Sequence, residues 1–314
     1  MNNHDLVRLG VPLGEPLRRA VDFISKYCLQ GGDRARLQEE VESILRQPAV
    51  FTADPLRGEF ARALLASPPA PRSRPAAYRQ WGEGLESEAV RQMERACLLP
   101  VSVQGALMPD AHVGYGLPIG GVLATENAVI PFAVGVDIAC RMKMTVLDLP
   151  LRDLERREDR LIRAIEEETR FGVGASFRQR RQHEVLDADW SVSPVTKQNQ
   201  DRAWSQLGTS GSGNHFVEFG TFKVLDRAVG LEPGVYVALL SHSGSRGTGA
   251  LVCEHYSRVA RERLRGLPPE LARLAWLPLN TQEGWEYWQA MNLMGEYASA
   301  NHALIHEHIL KRLG

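Results

Sequence analysis

The chain has 314 residues, 44% hydrophobic and 24% charged, with 37 Lys and Arg against 38 Asp and Glu. That composition excludes large-scale disorder, and a formal net charge of −1 leaves no global electrostatic case for nucleic acid, so such a partner would need a local basic patch. No apolar run reaches the length of a membrane span, no signal-type h-region follows Met1, and the four cysteines show no CxxC spacing, so the expectation is a reduced, cytoplasmic protein of about two domains with no membrane partner.

From Leu17 the apolar residues Leu17, Val21, Ile24 and Cys28 recur at helical spacing and stop at Gly31 and Gly32. Asp33 reads as the cap of a second helix carrying Leu37, Val41, Ile44 and Leu45. Residues 1–66 are therefore expected to form a small helical element. Prolines then crowd the stretch from Ser67 to Pro75, which predicts a linker over 67–80 and a main domain over 81–314. A helix is expected around Glu86 to Ala96. Short β-prone runs follow at Gly121–Ala124, Ala128–Ile130 and Met142–Leu147. Next come an amphipathic helix with Leu154, Leu161, Ile162 and Ile165 on one side and a polar, arginine-rich stretch at 177–181. The run Val235–Leu240 predicts a strand that leads into His242, and helices are expected from Ala250 to Leu264 and from Glu286 onward. With no internal repeat, the pattern gives an α+β class: mixed sheets with surrounding helices and chemistry on loops at strand ends.

The richest stretches are Met108–Val122, Val134–Cys140, Gly211–Glu218 and Ser241–Gly247, all dense in Gly or Ser. They supply Asp137, Cys140, His215 and His242. Carboxylate, thiolate and imidazole form a donor set that suits Zn²⁺, Mn²⁺ or a related ion, and a thiolate can bridge two ions. Singly, each has an ordinary alternative, a buried cysteine or a histidine bonded to its own loop. Jointly, beside glycine turns that let backbone approach closely, they read as one metal site.

Asn214, the backbone after it and Glu218 can match a nucleobase or ribose, or stabilise a turn; spacing leaves both open. In Ser241–Gly247 successive amides can form an anion nest and Arg246 can grip a phosphate, against the reading of an ordinary loop. Arg178, Arg180 and Arg181 can track a phosphodiester backbone or form a solvated face. His302, His306 and His308 have helical spacing without an HExxH-type base, so they read as structural or surface residues. Cys253 and His255 point apart on a helix and are not read as co-ligands.

The stretches Leu85–Glu94, Leu99–Pro100 and Met108–Gly116, with the motif blocks up to Ala290–Asn292 and Ala300–Asn301, resemble the RtcB family of RNA ligases over roughly two-thirds of the chain. The resemblance implies an RtcB-like fold. It also implies joining of an RNA 3′-phosphate or 2′,3′-cyclic phosphate to a 5′-hydroxyl with GTP and two Mn²⁺ ions, Zn²⁺ suiting the same donors. Cys140 would bridge the ions, with Asp137 and His215 on one and His242 on the other. Asn214, His215, Phe216, Val217 and Glu218 would contact GTP, and Arg246 an RNA phosphate. The implied partners are RNA ends such as tRNA halves or broken RNA, and an activating protein.

Departures from the pattern qualify this. The family carries, beyond the Ala-Asn segment, a further histidine ligand and a Ser-His-Gly-Ala-Gly-Arg motif with the guanylylated histidine; neither occurs before Gly314, and Arg141 stands where many members have Gly. The expectation is therefore a C-terminally incomplete chain without a catalytic nucleophile, binding metal weakly and forming no GMP adduct. A non-catalytic RNA-binding relative and a metal-dependent phosphoesterase are the alternatives.

Overall fold

Helix α1 (Asn3–Arg8) opens with a capping box in which Asn2 and Asp5 bond each other's backbone N–H. It begins a computed structural model that describes residues 1–12, 15–65, 72–264 and 266–314. Among them, helices and small mixed sheets make up the α+β class expected. The chain divides into two units, residues 1–133 with 256–284, and residues 134–255 with 285–314.

In the first unit, α1 is followed by α2 (Glu15–Leu29), α3 (Leu37–Arg46) and α4 (Gly58–Leu65). These helices share a core built from Leu6, Phe23, Val41, Ile44 and Phe60, drawn only from their own stretch of chain. The buried stripe of α2 runs through Ala20, Phe23 and Tyr27, so it is rotated from the one read off Leu17, Val21, Ile24 and Cys28. The bulky Phe23 and Tyr27 rings decide the face, meeting at a tilt 5.7 Å apart while Phe23 stacks on Phe60 at 6.2 Å. Asp33 caps a 3-10 turn over Arg34–Arg36 that feeds α3, one turn earlier than a direct cap.

Part of the expected linker, residues 67–71, lies outside the described residues, and its last three residues form strand β1 (Tyr78–Gln80). This strand pairs in parallel with β2 (Ser102–His112), which pairs antiparallel with β3 (Ile119–Thr125). Helix α5 (Ser87–Cys97) lays Met93 and Cys97 against Leu107 and Ala111. Two-residue strands β4 (Ala128–Val129) and β8 (Leu277–Pro278) pair antiparallel, and a single turn α6 (Pro131–Val134) follows β4.

The second unit is organised by β5 (Arg141–Leu147), β6 (Phe216–Val224) and β7 (Gly234–Ser243), antiparallel in the order β5-β7-β6. Side chains alternate across a strand. Leu147, Val217, Val237 and Leu239 therefore share one face, buried against Ile305 and Ile309 of α11 (Gln282–Leu313) and Ala164 of α8 (Glu158–Glu168). The other face carries Met142, His242 and Phe216 in one row, with Met142 and Met144 51% and 44% exposed. The single amphipathic helix expected after β5 is broken at Arg157 into α7 (Asp153–Arg156) and α8. Ile162 is 45% exposed rather than on the buried side, because Ala164 and Leu161 take the contact. Helix α9 (Pro194–Gln206) starts under the Ser193 cap with Pro194 in its first turn. Helix α10 (Arg246–Arg263) begins four residues before the expected Ala250, inside the Ser/Gly loop.

Candidate metal centre

The register of the sheet brings three strand ends to one edge: β7 ends with His242 and Ser243, β5 begins just after Cys140, and β6 begins just after His215. Asp137 and Cys140 are folded onto each other by a tight turn, Cys140 N–H donating to the Asp137 carbonyl at 3.1 Å. Ala139 inside it has φ +59°, a left-handed conformation that disfavours a Cβ by roughly 1–2 kcal/mol. Such strain persists only where surrounding contacts over-determine it.

The four residues expected to gather do so. Cys140 Sγ lies 3.0 Å from His242 Nε2 and 3.4 Å from His215 Nε2, and His215 Nε2 lies 2.9 Å from Asp137 Oδ2. Ligand atoms of Asp137, Cys140 and His215 all fall within 4.8 Å of one another. The thiol thus lies between the imidazoles of His215 and His242.

Hydrogen bonds to main-chain carbonyls orient the rings. His242 Nδ1 faces the Asn214 carbonyl at 3.1 Å; a carbonyl only accepts, so Nδ1 carries the proton and Nε2 offers its lone pair to the sulfur side. His215 Nδ1 faces the Ser210 carbonyl at 2.9 Å and Arg246 Nη1 at 3.0 Å, and can serve only one of them. Donation to Ser210 leaves Nε2 bare beside a carboxylate oxygen, an arrangement that a cation between them relieves. Acceptance from Arg246 puts the proton on Nε2. Asp137 Oδ2 is buried and, though 2.9 Å from Nε2, receives no aligned hydrogen bond. Oδ1, by contrast, accepts from Ser245 N at 2.9 Å and Ser245 Oγ at 3.2 Å. One orphaned carboxylate oxygen, a thiol and two imidazoles fit a divalent ion.

Burial pushes the Asp137 carboxyl up, but His215, Arg246 and Ser245 together outweigh it and hold it below the usual carboxylate range. Desolvation by neighbouring protein atoms and the adjacent Asp137 charge push the Cys140 thiol up to about 12, so without a cation it stays protonated. Burial lowers Arg246, whose guanidinium turns inward toward His215 and Thr209.

A further layer holds these groups in place, and most of it was not assigned a role from sequence. Asn301, fully buried on α11, accepts from Gly208 N at 2.7 Å and donates to the Thr209 carbonyl at 3.0 Å and to Ser243 Oγ at 3.1 Å. Ser243 Oγ in turn donates to the Ser210 carbonyl at 2.7 Å, the same oxygen that faces His215. The only sequence signal was that Asn301 sits in a motif block. Two glycines leave room that no other residue could: a Cβ on Gly211 (φ +101°) would lie 1.6 Å from Arg246 Nη2, and one on Gly244 would lie 2.4 Å from both Asp137 oxygens.

Beneath the sheet edge runs a buried chain of hydrogen bonds. His302 Nε2 donates to the Ser243 carbonyl at 3.0 Å, so its Nδ1 accepts from Ser241 Oγ at 2.7 Å. Ser241 Oγ accepts from His306 Nε2 at 2.8 Å, and His306 Nδ1 accepts from Thr145 Oγ1 at 2.7 Å. These two histidines are structural, and burial lowers both, His306 to about 4.

Of the expected nucleotide contacts, Asn214 and Glu218 are exposed and the Phe216 ring lies 5.8 Å from His242. Val217 points its side chain into the core, leaving only its backbone for a ligand. The three arginines do not form a common solvated track: Arg180 pairs with Asp201, Arg181 is only 8% exposed and pairs with Glu168, and Arg178 alone is open. His308 is half-buried beside Glu168 at 3.6 Å.

Comparison with known proteins points to one family. A family model described as tRNA-splicing ligase RtcB matches residues 92–314. The tRNA-splicing ligase RtcB of Archaeoglobus fulgidus is 33% identical over 262 residues, covering 70% of this chain and 54% of that protein. The RNA-splicing ligase RtcB homolog 1 of Entamoeba histolytica is 29% identical, covering 71% and 50%, and the tRNA-splicing ligase RtcB of Aeropyrum pernix is 30% identical, covering 67% and 52%. The chain spans about half the length of these curated relatives. With a family match over most of its residues, and with the site residues gathered at one sheet edge, this chain belongs to the RtcB family.

Proposed function

We propose that this chain carries the metal- and RNA-end-binding part of an RNA ligase that joins a 3′-phosphate or 2′,3′-cyclic phosphate to a 5′-hydroxyl with GTP and Mn²⁺. The observation that supports it is Cys140 Sγ between the Nε2 atoms of His215 and His242, beside the unbonded Oδ2 of Asp137. Asp137, Cys140 and His215 would hold one ion, and Cys140 with His242 a second; Zn²⁺ suits the same donors. When bound, such ions neutralise phosphate charge and polarise the phosphorus toward attack.

The protein's own groups do the rest. Asn214 and Ser210 carbonyls fix the two rings so that their lone pairs converge. Arg246, held inward beside His215, is placed to grip a phosphate through its fork of N–H groups. Phe216 and Glu218 project from the same face of β6, next to His242, and offer a stacking ring and a carboxylate to a guanosine base. Asn214, with no side-chain partner among the described residues, adds an amide. Residues 1–66 would form an accessory helical element. The four cysteines are free thiols, which fits a reducing, cytoplasmic setting, and no helix among the described residues is long and apolar enough to cross a membrane.

The test is binding of short RNAs that differ only at the 3′ end. With Mn²⁺ present, a 3′-phosphate should bind at least about tenfold more tightly than a 3′-hydroxyl, and chelation or Cys140→Ser should abolish the preference. Equal affinity for both ends would overturn the reading. Release of inorganic phosphate from the 3′-phosphate without GTP would instead establish a phosphoesterase.

A further inference from the structure

Next to the loop that carries Ser210 lies a cavity of about 750 Å³ whose lining includes Arg170, Arg178, Arg180 and Arg181 against two carboxylates, Glu167 and Glu168. The cavity wall and the loop form one connected piece: Arg181 Nη1 donates to the Gly208 carbonyl at 3.4 Å, and the Arg170 carbonyl accepts from Ser210 N at 2.9 Å. Whatever occupies the cavity therefore sits one hydrogen-bonded step from the acceptor that orients His215.

The charges do not cancel. Glu167 is paired with Arg312, and Glu168 with Arg181, His308 lying beside it. Arg180 holds Asp201 and lies over the Trp204 ring at 5.0 Å. Burial lowers Arg181 to about 10, so it remains charged at neutral pH. Among the described residues Arg170 donates only to main-chain carbonyls at the end of α8, those of Glu166, Glu167 and Thr169, and has no carboxylate partner there. Arg178 is exposed with neither a hydrogen bond nor an ion pair among the described residues. Two guanidinium charges are thus left for an anion from outside. The Arg170 and Arg181 groups also pack on the Phe177 ring, at 5.1 and 4.1 Å, so the cavity presents flat cationic and aromatic surfaces together. Charge that tracks a backbone, combined with planar surfaces for bases, is the chemistry of single-stranded nucleic-acid binding.

We propose that this cavity binds a stretch of single-stranded RNA away from its reacting end, through phosphodiester contacts to Arg178 and Arg170 and stacking on the guanidinium and Phe177 surfaces. This deepens the RNA reading given above and rests on it. Arg178→Glu is a clean probe, because an exposed side chain without partners can change without disturbing packing. Arg152→Glu, at the far end of α7 and α8 and also exposed, is a charge-matched control. Anisotropy of a labelled, unstructured twelve-nucleotide RNA in EDTA reads the cavity without the metal centre. Arg178→Glu should weaken binding about tenfold or more and lower the salt slope by roughly 0.7, the share of one single-strand phosphate contact, while Arg152→Glu changes affinity less than about twofold.

Equal losses in the two variants, no loss in Arg178→Glu, no binding by the unmodified protein, or displacement of the RNA by polyglutamate at matched ionic strength would each overturn the proposal. Competition by inorganic phosphate alone at low millimolar concentration would also overturn it, by marking a single-anion site. Mn²⁺ binding and the 3′-phosphate preference, measured on the same variants, separate this outcome from failure of the metal-centre reading: both should persist in Arg178→Glu.

Discussion

Cys140 is the side chain on which the candidate centre turns, and its exposure makes it testable without unfolding the protein. Cys140→Ser keeps the size but removes the soft donor, so Mn²⁺ affinity by calorimetry is expected to fall at least about tenfold, with a melting temperature within a few degrees of the parent. Gly244→Ala should do similar damage without touching a donor atom, because its methyl would lie 2.4 Å from both Asp137 oxygens and displace the carboxylate. Retained Mn²⁺ affinity in Gly244→Ala would show that Asp137 is not a ligand. At this scale the convergence of Asp137, Cys140, His215 and His242 was legible, since unusual residue types stood beside glycine turns. Ser245 and Asn301 were not, because their hydrogen bonds to Asp137 and to Gly208 span 108 and 93 positions and leave no local pattern.

Strand β7 and helix α11 meet through His302 and His306, and that contact ties folding to pH. His306 is 2% exposed and its native value is lowered to about 4 from 6.5. Between those values the unfolded chain binds the proton and the folded one does not. Stability is therefore full above pH 6.5 and is lost as pH falls toward 4, by up to about 3 kcal/mol for this group. Urea unfolding at pH 7.5 and pH 5 should show the decline, and His306→Gln should shrink it; an unchanged slope would rule out a buried neutral imidazole. Read with the missing HExxH-type base, the helical spacing of these histidines predicted a structural or surface role. Helical spacing missed the break at Arg157 and the rotated face of α2, because the period of apolar residues does not say which of two adjacent stripes a neighbour will cover.

The α+β class was visible in strand and helix signals mixed along the chain without strict alternation, whereas the division of the molecule was not: each unit is assembled from two separated stretches of chain, and contacts at that range have no footprint in composition. The first four helices still keep a core of their own. Phe60→Ala should cost about 3–5 kcal/mol there, lowering a helical transition seen by circular dichroism while Mn²⁺ affinity stays unchanged. Loss of metal binding in that variant would mean the two regions are energetically one.

A cation gripped by Cys140, His215 and His242 would fasten segments that lie 75 and 102 positions from one another along the polypeptide. Opening the sheet would then mean surrendering the ion, so melting temperature should climb with Mn²⁺ concentration in the native chain and stay flat in Cys140→Ser. Persistence of this fold would become a property of its surroundings as much as of its own atoms.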